Sequence, residues 1–335
     1  MKDIAKELNV SLTTVSNVIN NKTDRVSPET QRKVKDLISK YNYVPNYNAR
    51  SLTNSDSRLI ALLYYSDNPD YDFKDPFAAS VLNGIENIAR NNGYFVLLHN
   101  ITDAKDLSTL QNSWRFSGFI AVGFTQEIFD QIILSVEVPI IFIDTYVDNE
   151  DSYDNVIFIN TDDYSIGYEA GKHAGMSELS RVAFLSYEFE KHKKGVISSR
   201  FQGYKKAIRE NNLQFDEEVD VFCEDNISVL VATIDQYDFI FITADMLSLK
   251  LVDEFKIQKK DIKSISMISV DNILYSNYLT PSLTTFDLNQ EVKGEIAMQI
   301  LSKEYTGEQN ANKIIIPHMI VYRDSYLKVR SDGWK

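Results

Sequence analysis

A single cysteine, Cys223, in 335 residues excludes an internal disulfide and leaves no second cysteine for a zinc site, which fits a reducing compartment. Glycine (12) and proline (7) are both scarce, and this excludes low-complexity linkers and collagen-like repeats. No stretch approaches the roughly 18 apolar residues of a membrane span. The start, MKDIAKELNVS, carries Lys2, Asp3, Lys6 and Glu7 where a secretory signal needs an apolar run, so a cytoplasmic protein with no membrane partner is expected. A Gly-rich phosphate loop and a Gly-x-Ser-x-Gly nucleophile turn are also missing, and His99, His173, His192 and His318 show no metal-ligand spacing. No catalytic residue, metal or cofactor is therefore predicted. What is present, 44% apolar and 25% charged residues, is the composition of an ordinary globular chain with room for two or three units.

The net charge of −13 would argue against nucleic acid if it were evenly spread. It is not: residues 1–58 carry ten Lys plus Arg against six Asp plus Glu, net +4, and the remainder carries 25 against 42, net −17. A basic head sits on an acidic body, and phosphate attraction acts only within about 8 Å at physiological salt, so the local sign is what matters. In the head, Ile4, Ala5 and Leu8, then Val15, Val18 and Ile19, recur at helical spacing. Asn9 tolerates a left-handed turn between the two helices, and Ser11 is an N-cap for the second. A third helix starts at Ser27-Pro28-Glu29, shows Val34, Leu37, Ile38 and Tyr41 on one stripe, and stops at Pro45-Asn46. Three short basic helices read as a helix-turn-helix or as a helical cap, and periodicity alone leaves both open.

The specific run decides between them. Asp3-Ile4-Ala5, Val10-Ser11, Thr14-Val15-Ser16, Val18-Ile19-Asn20, Val26-Ser27, Thr30, Val34, Tyr43-Val44-Pro45-Asn46, Ala49-Arg50 and Ser51-Leu52 resemble, in order and spacing, the DNA-binding head of the lactose/galactose repressor (LacI/GalR) family. The resemblance implies that Leu12, Thr13 and Asn17 meet base edges, that Ser11, Thr14 and Ser16 suit phosphate contact, and that Asn20 belongs to the same DNA-facing set. Asn17 stands where the family commonly has Arg; Asn prefers adenine where Arg reads guanine, so the usual half-site does not carry over. Asn9 replaces the usual turn glycine. Residues 46–53 resemble the family's hinge helix, with Leu52 as the minor-groove wedge and Arg50 near phosphate. So short a helix is unstable alone, and it is expected to order only on DNA.

From Arg58 the pattern changes to short apolar runs alternating with amphipathic segments. Ile60–Tyr64, Tyr94–Leu98, Gly118–Val122, Pro139–Ile143, Val156–Ile159, Val182–Leu185, Phe239–Ile242 and Ser266–Val270 read as strands, and Ala78–Asn91 as a helix between the first two. Near-continuous apolar strands between helices imply parallel sheets covered on both faces, here in two doubly wound subdomains with a ligand cleft between them. The family's body domain is resembled through Asp75-Pro76-Phe77, Asn83-Gly84, Ser117-Gly118, Ile143-Asp144, Thr161-Asp162, Arg200-Phe201-Gln202-Gly203-Tyr204, Ala244-Asp245, Val270-Asp271-Asn272 and Pro281-Ser282-Leu283. Departures are Ala244 for Asn, Ser269 for Gly, and a short connection from His99 to Gly118.

The expected architecture is thus α/β: an N-terminal three-helix helix-turn-helix head over 1–45, a hinge over 46–57, and a bilobal, periplasmic-binding-protein-like body over 58–335. Its subdomains are expected at about 58–160 with 288–317 and 161–287 with 318–330. The resemblance implies Arg200 and Asp271 as leading effector residues, a guanidinium fork and a carboxylate facing ligand hydroxyls. Phe77 would stack on an apolar ligand face, and Asp144, Asp162, Tyr187, Phe222 and Asp245 are further candidates. Each has a plainer alternative: a surface ion pair for Arg200, a helix cap for Asp271, a core position for the aromatics. The basic run Lys191-His192-Lys193-Lys194 reads as a solvated loop. The function implied is a sequence-specific repressor, binding operator DNA as a homodimer and controlled by a small molecule, a sugar or sugar phosphate, with a protein corepressor also open. The dimer follows from the lack of a terminal heptad helix near residues 331–335. Rival readings are a transport-type solute-binding protein, opposed by the basic head, and an enzyme on the same scaffold, opposed by the missing catalytic constellation.

Overall fold

The computed structural model describes residues 1–19, 23–41, 43, 57–65, 75–148, 150–153, 155–176, 181–307 and 312–326. Asn20, Arg50, Leu52 and hinge residues 46–56 lie outside the described residues. The chain divides into two compact units, Met1–Ser57 and Arg58–Lys335.

In the first unit, α1 (Lys2–Glu7), α2 (Leu12–Ile19) and α3 (Pro28–Lys40) enclose a small core of Ile4, Ala5, Val15, Val18 and Val34. The local signals act as expected. Asn9 takes φ 52° in the turn, Ser11 Oγ accepts the Thr14 amide, and Ser27 Oγ accepts the Thr30 amide with Pro28 at the first helical position.

The second unit holds two six-stranded sheets in the orders β11-β5-β4-β3-β1-β2 and β12-β10-β9-β8-β6-β7. The first comprises β1 (Leu59–Tyr65), β2 (Phe95–Ile101), β3 (Gly118–Val122), β4 (Ile140–Ile143), β5 (Val156–Thr161) and β11 (Lys313–Ile316). The second comprises β6 (Val182–Ser186), β7 (Val221–Cys223), β8 (Phe239–Ile242), β9 (Ser266–Val270), β10 (Thr284–Asp287) and β12 (Met319–Val321). All pairs are parallel except β10 with β12. Apolar runs still alternate between faces: Ala61 and Leu63 enter one core, Ile60, Leu62 and Tyr64 the other. Each half is the doubly wound arrangement in which ligands gather at the carboxyl ends of the strands.

The helices of this unit are α4 (Pro76–Asn91), α5 (Ala104–Ser113), α6 (Gln126–Ile132), α7 (Asp163–Gly175), α8 (Val196–Glu210), α9 (Ile227–Ala232), α10 (Asp245–Gln258) and α11 (Gln290–Leu301). The connection after His99 is not short of structure: β2 runs on to Ile101, and α5 follows, opened by a capping box of Asp103 and Asp106. Gly167 lets α7 approach the Arg200 carbonyl of α8, and Gly84 lets α4 approach the Glu291 carbonyl of α11; a Cβ at either would collide with backbone. Because the chain crosses between halves after β5, after β10 and after β11, α7 and α11 both begin at the crossings. No helix among the described residues is long and apolar enough to cross a membrane.

Candidate functional site

Helix α2 turns Val15 and Val18 inward and leaves Ser11, Leu12 and Thr13 exposed, with Thr14, Ser16 and Asn17 partly so. Leu12 is 46% exposed, so it is not a core contact. The outward face is therefore hydroxyls, one amide and one isolated leucine, without an acidic side chain in the helix.

In the second unit the crossings bring charged side chains together. Lys293, 0% exposed on α11, donates to both Asp144 oxygens at 2.7 and 2.8 Å. Asp144 follows β4 in a left-handed conformation, φ 49°. Burial raises its carboxyl and Lys293 opposes the rise. Arg200 on α8 donates from Nε to Asp163 at 2.8 Å and from Nη1 to the Thr243 carbonyl at 2.7 Å. Burial works against the guanidinium's charge, but Asp163, Asp271 and Asp144 outweigh it. Tyr146 completes the cluster, donating to the Thr161 carbonyl at 2.7 Å and to Asp163 at 2.5 Å.

Beside this cluster lies a cavity of about 340 Å³, a size typical of small-ligand sites, lined by Phe77, Ser80, Asp271, Asn272, Tyr275 and Gln290 among others. Asp271 follows β9 with φ 116°, and no donor among the described residues reaches its carboxylate. Burial pushes that carboxyl well above its ordinary range, and Arg200 pulls the other way. Gln290, 6% exposed, has neither amide atom hydrogen-bonded; the Thr161 and Thr243 hydroxyls at the ends of β5 and β8 are likewise buried and unpartnered. Buried polar atoms are ordinarily satisfied, so the Gln290 carboxamide at the cavity wall is a hydrogen-bonding group without a protein partner.

The remaining candidates have these surroundings. Asp162 is exposed and caps α7 through the Ser165 amide and hydroxyl. Asp245 is buried and accepts from Ser276, Thr285 and the Ile273 amide; burial lifts its carboxyl to about 6 against these donors and Ser269. Ser269, which replaces the family's usual glycine, thus supports Asp245 and also bonds Ser248 at 3.1 Å. Ala244 leaves α10 without a side-chain cap. Phe222 sits in the core edge-on to Tyr237, and Tyr187 packs on the same core. Gln290, which lines the cavity, and Lys293, Asp163 and Tyr146 of the buried charge cluster escaped sequence reasoning.

The basic loop after β6 is not merely solvated. Lys191 anchors it to the Glu217 carbonyl at 2.8 Å, while Lys193 reaches Glu127 of α6 at 2.8 Å and Lys194 reaches Asp148 at 2.6 Å. These two pairs tie the halves across the cleft, and Lys193, foremost among the causes, holds the Glu127 carboxyl down to about 2. Among the described residues no group of His, Cys, Asp and Glu is arranged to hold a metal ion.

Comparison with known proteins agrees with both units. Residues 1–46 match the family of bacterial regulatory proteins, lacI family. Residues 59–228 match the periplasmic binding proteins and sugar binding domain of LacI family, and 177–326 a periplasmic binding protein-like domain. The chain is 27% identical over 345 residues to the transcriptional regulator MalR of Clostridium butyricum, covering 98% of this chain and 99% of that one. It is 28% identical over 342 residues to the repressor PurR of Vibrio cholerae, covering 97% of each. In structure it is similar to a lac repressor dimer bound to operator and an anti-inducer (TM-score 0.79, 19% identity, 97% and 98% coverage). It is also similar to a CelR–cellobiose complex (TM-score 0.67, 19% identity, 96% and 98% coverage). The chain belongs to the LacI family of bacterial transcriptional regulators.

Proposed function

We propose that this regulator represses transcription as a cytoplasmic homodimer on a pseudo-palindromic operator, and that a carbohydrate in the cavity beside Asp271 and Gln290 sets its DNA affinity. It acts by binding and not by catalysis. The observation that carries the reading is Gln290: a buried carboxamide with no partner, next to an unspent carboxylate, in a chain whose other unit exposes the face of a recognition helix. On that face Leu12, Thr13 and Asn17 would meet base edges, and Ser11, Thr14 and Ser16 phosphates. Ligand and DNA must favour different conformers of the body for binding to regulate anything. The test is operator selection from random duplexes, repeated with each sugar of a panel. A sugar that shifts operator affinity in the intact chain and loses its effect in Gln290→Ala supports the reading. Affinity indifferent to every small molecule moves control to a protein corepressor.

Two outcomes follow at once. Light scattering at micromolar concentration is expected to give twice the chain mass; a fourfold mass contradicts the dimer. The Lys193 and Lys194 pairs are exposed and salt-screened, so they form a weak, reversible clasp. Lys193→Glu with Lys194→Glu is expected to weaken ligand binding several-fold at low salt and hardly at all at high salt. Adding Glu127→Lys should return part of the loss. Equal losses at both ionic strengths would mean the loop acts by shape and not by charge.

A further inference from the structure

The charges of the cavity wall have unequal claims on a ligand. The two buried cations nearest in charge to Asp271 are each ion-paired, Arg200 with Asp163 and Lys293 with Asp144. Arg323, behind Asn272, donates to the Asn272 amide oxygen and the Leu283 carbonyl at 2.7 Å each, and Asn272 in turn donates to Asp287 at 2.9 Å. The cations of the loop after β6 are paired with Glu127, Glu190 and Asp148. Three carboxylates, Asp75, Asp245 and Asp271, have no ion-pair partner among the described residues. Asp245 is filled by its three donors, and Asp75 by the Phe77 amide at 3.0 Å and the Tyr64 hydroxyl at 3.3 Å. Of the three, only Asp271 has no hydrogen-bond donor among the described residues, and it lines the cavity with Gln290, Phe77 and Tyr275.

We propose, on the reading that the effector occupies this cavity, that the site admits a donor-rich ligand carrying no negative charge, such as a free sugar or an amino sugar, and rejects its phosphorylated form. The ligand supplies hydrogens to the Asp271 carboxylate, which no donor among the described residues supplies. An anionic group would face the Asp271 carboxylate with no unpaired cation among the described lining residues to receive it. An ammonium group would instead gain the carboxylate and the aromatic faces together.

The experiment is titration calorimetry on the full-length chain with matched sets: glucose, 6-O-methylglucose and glucose 6-phosphate; glucosamine and its 6-phosphate; ribose and ribose 5-phosphate; adenosine and AMP. The expected result is that every binder lacks phosphate, that its phosphorylated counterpart binds at least about 100-fold weaker, and that an uncharged 6-O-methyl group is tolerated where glucose is the binder. In Asp271→Asn and in Asp271→Ser, the binder should weaken while the gap to its phosphate narrows. A phosphorylated compound that binds as tightly as its parent, or a gap unchanged in both variants, overturns the charge assignment and leaves the effector cavity standing. Silence from every compound, in a chain that still binds operator, removes the cavity as an effector site and the assignment with it.

Discussion

Lys293→Met is expected to destabilise the acidic unit by about 3–5 kcal/mol, the usual consequence of breaking a buried ion pair from one side. The substitution keeps most of the side chain's volume and so leaves little void. It strands the Asp144 carboxylate, which has both oxygens on Lys293 and is held in a left-handed turn by the end of β4. The loss should depend on pH. Burial already raises the Asp144 carboxyl, and without Lys293 nothing of comparable strength opposes the rise. The variant's deficit should therefore be largest well above neutrality and shrink as acid protonates Asp144, because a neutral buried carboxyl costs less than a charged one. Adding Asp144→Asn should recover most of the stability, since removing both charges is often close to neutral. Urea denaturation of the single and double variants reads this directly. A loss below about 1 kcal/mol, or a double variant no better than the single, would show that the pair is solvated and not a buried structural charge.

The strands that were legible are near-continuous apolar runs, as parallel sheets covered on both faces favour; Ile140–Ile143 and Phe239–Ile242 are buried throughout. β7, β11 and β12, of only three or four residues, escaped, and β10 did so for the opposite reason. Thr284 and Thr285 of β10 are buried for their hydroxyls, which bond the Arg323 carbonyl and Asp245, so no apolar run announces the strand. Within the cavity, Asp271 and Phe77 were legible through the family resemblance. Gln290 and Lys293 were not, because a crossing of the chain delivers α11 to the cleft, and no local pattern encodes a crossing. A signal did exist: Lys293 interrupts a buried stripe of Gly294, Ala297, Met298 and Leu301, where a lysine needs a buried partner. Adjacent Asp162 and Asp163 show a limit of a different kind. One is an exposed helix cap and the other a buried partner of Arg200, and a single step along the chain separates these fates.

Asp271→Asn is expected to cost effector binding about 1.5–3 kcal/mol, roughly 10- to 150-fold in affinity, the worth of hydrogen bonds to a charged group, while making the ligand-free protein more stable at neutral and higher pH. Both effects come from one carboxylate with no hydrogen-bond donor among the described residues. Its native carboxyl is raised by burial, so the folded state holds a proton that the unfolded chain releases near its ordinary value of about 4. Stability contributed in this way is complete in acid and falls as pH rises from the unfolded value through the native one. Asp245, lifted to about 6, causes part of the same fall and remains in the variant. The difference between variant and parent should therefore begin near pH 4, grow with pH, and level off once Asp271 is ionised in both states. Melting temperatures from pH 4 to 9 without ligand test it. Parallel curves would mean that Asp271 is solvated in the free protein, and a variant less stable than the parent at pH 8 would mean that its carboxylate serves the fold as well as the ligand.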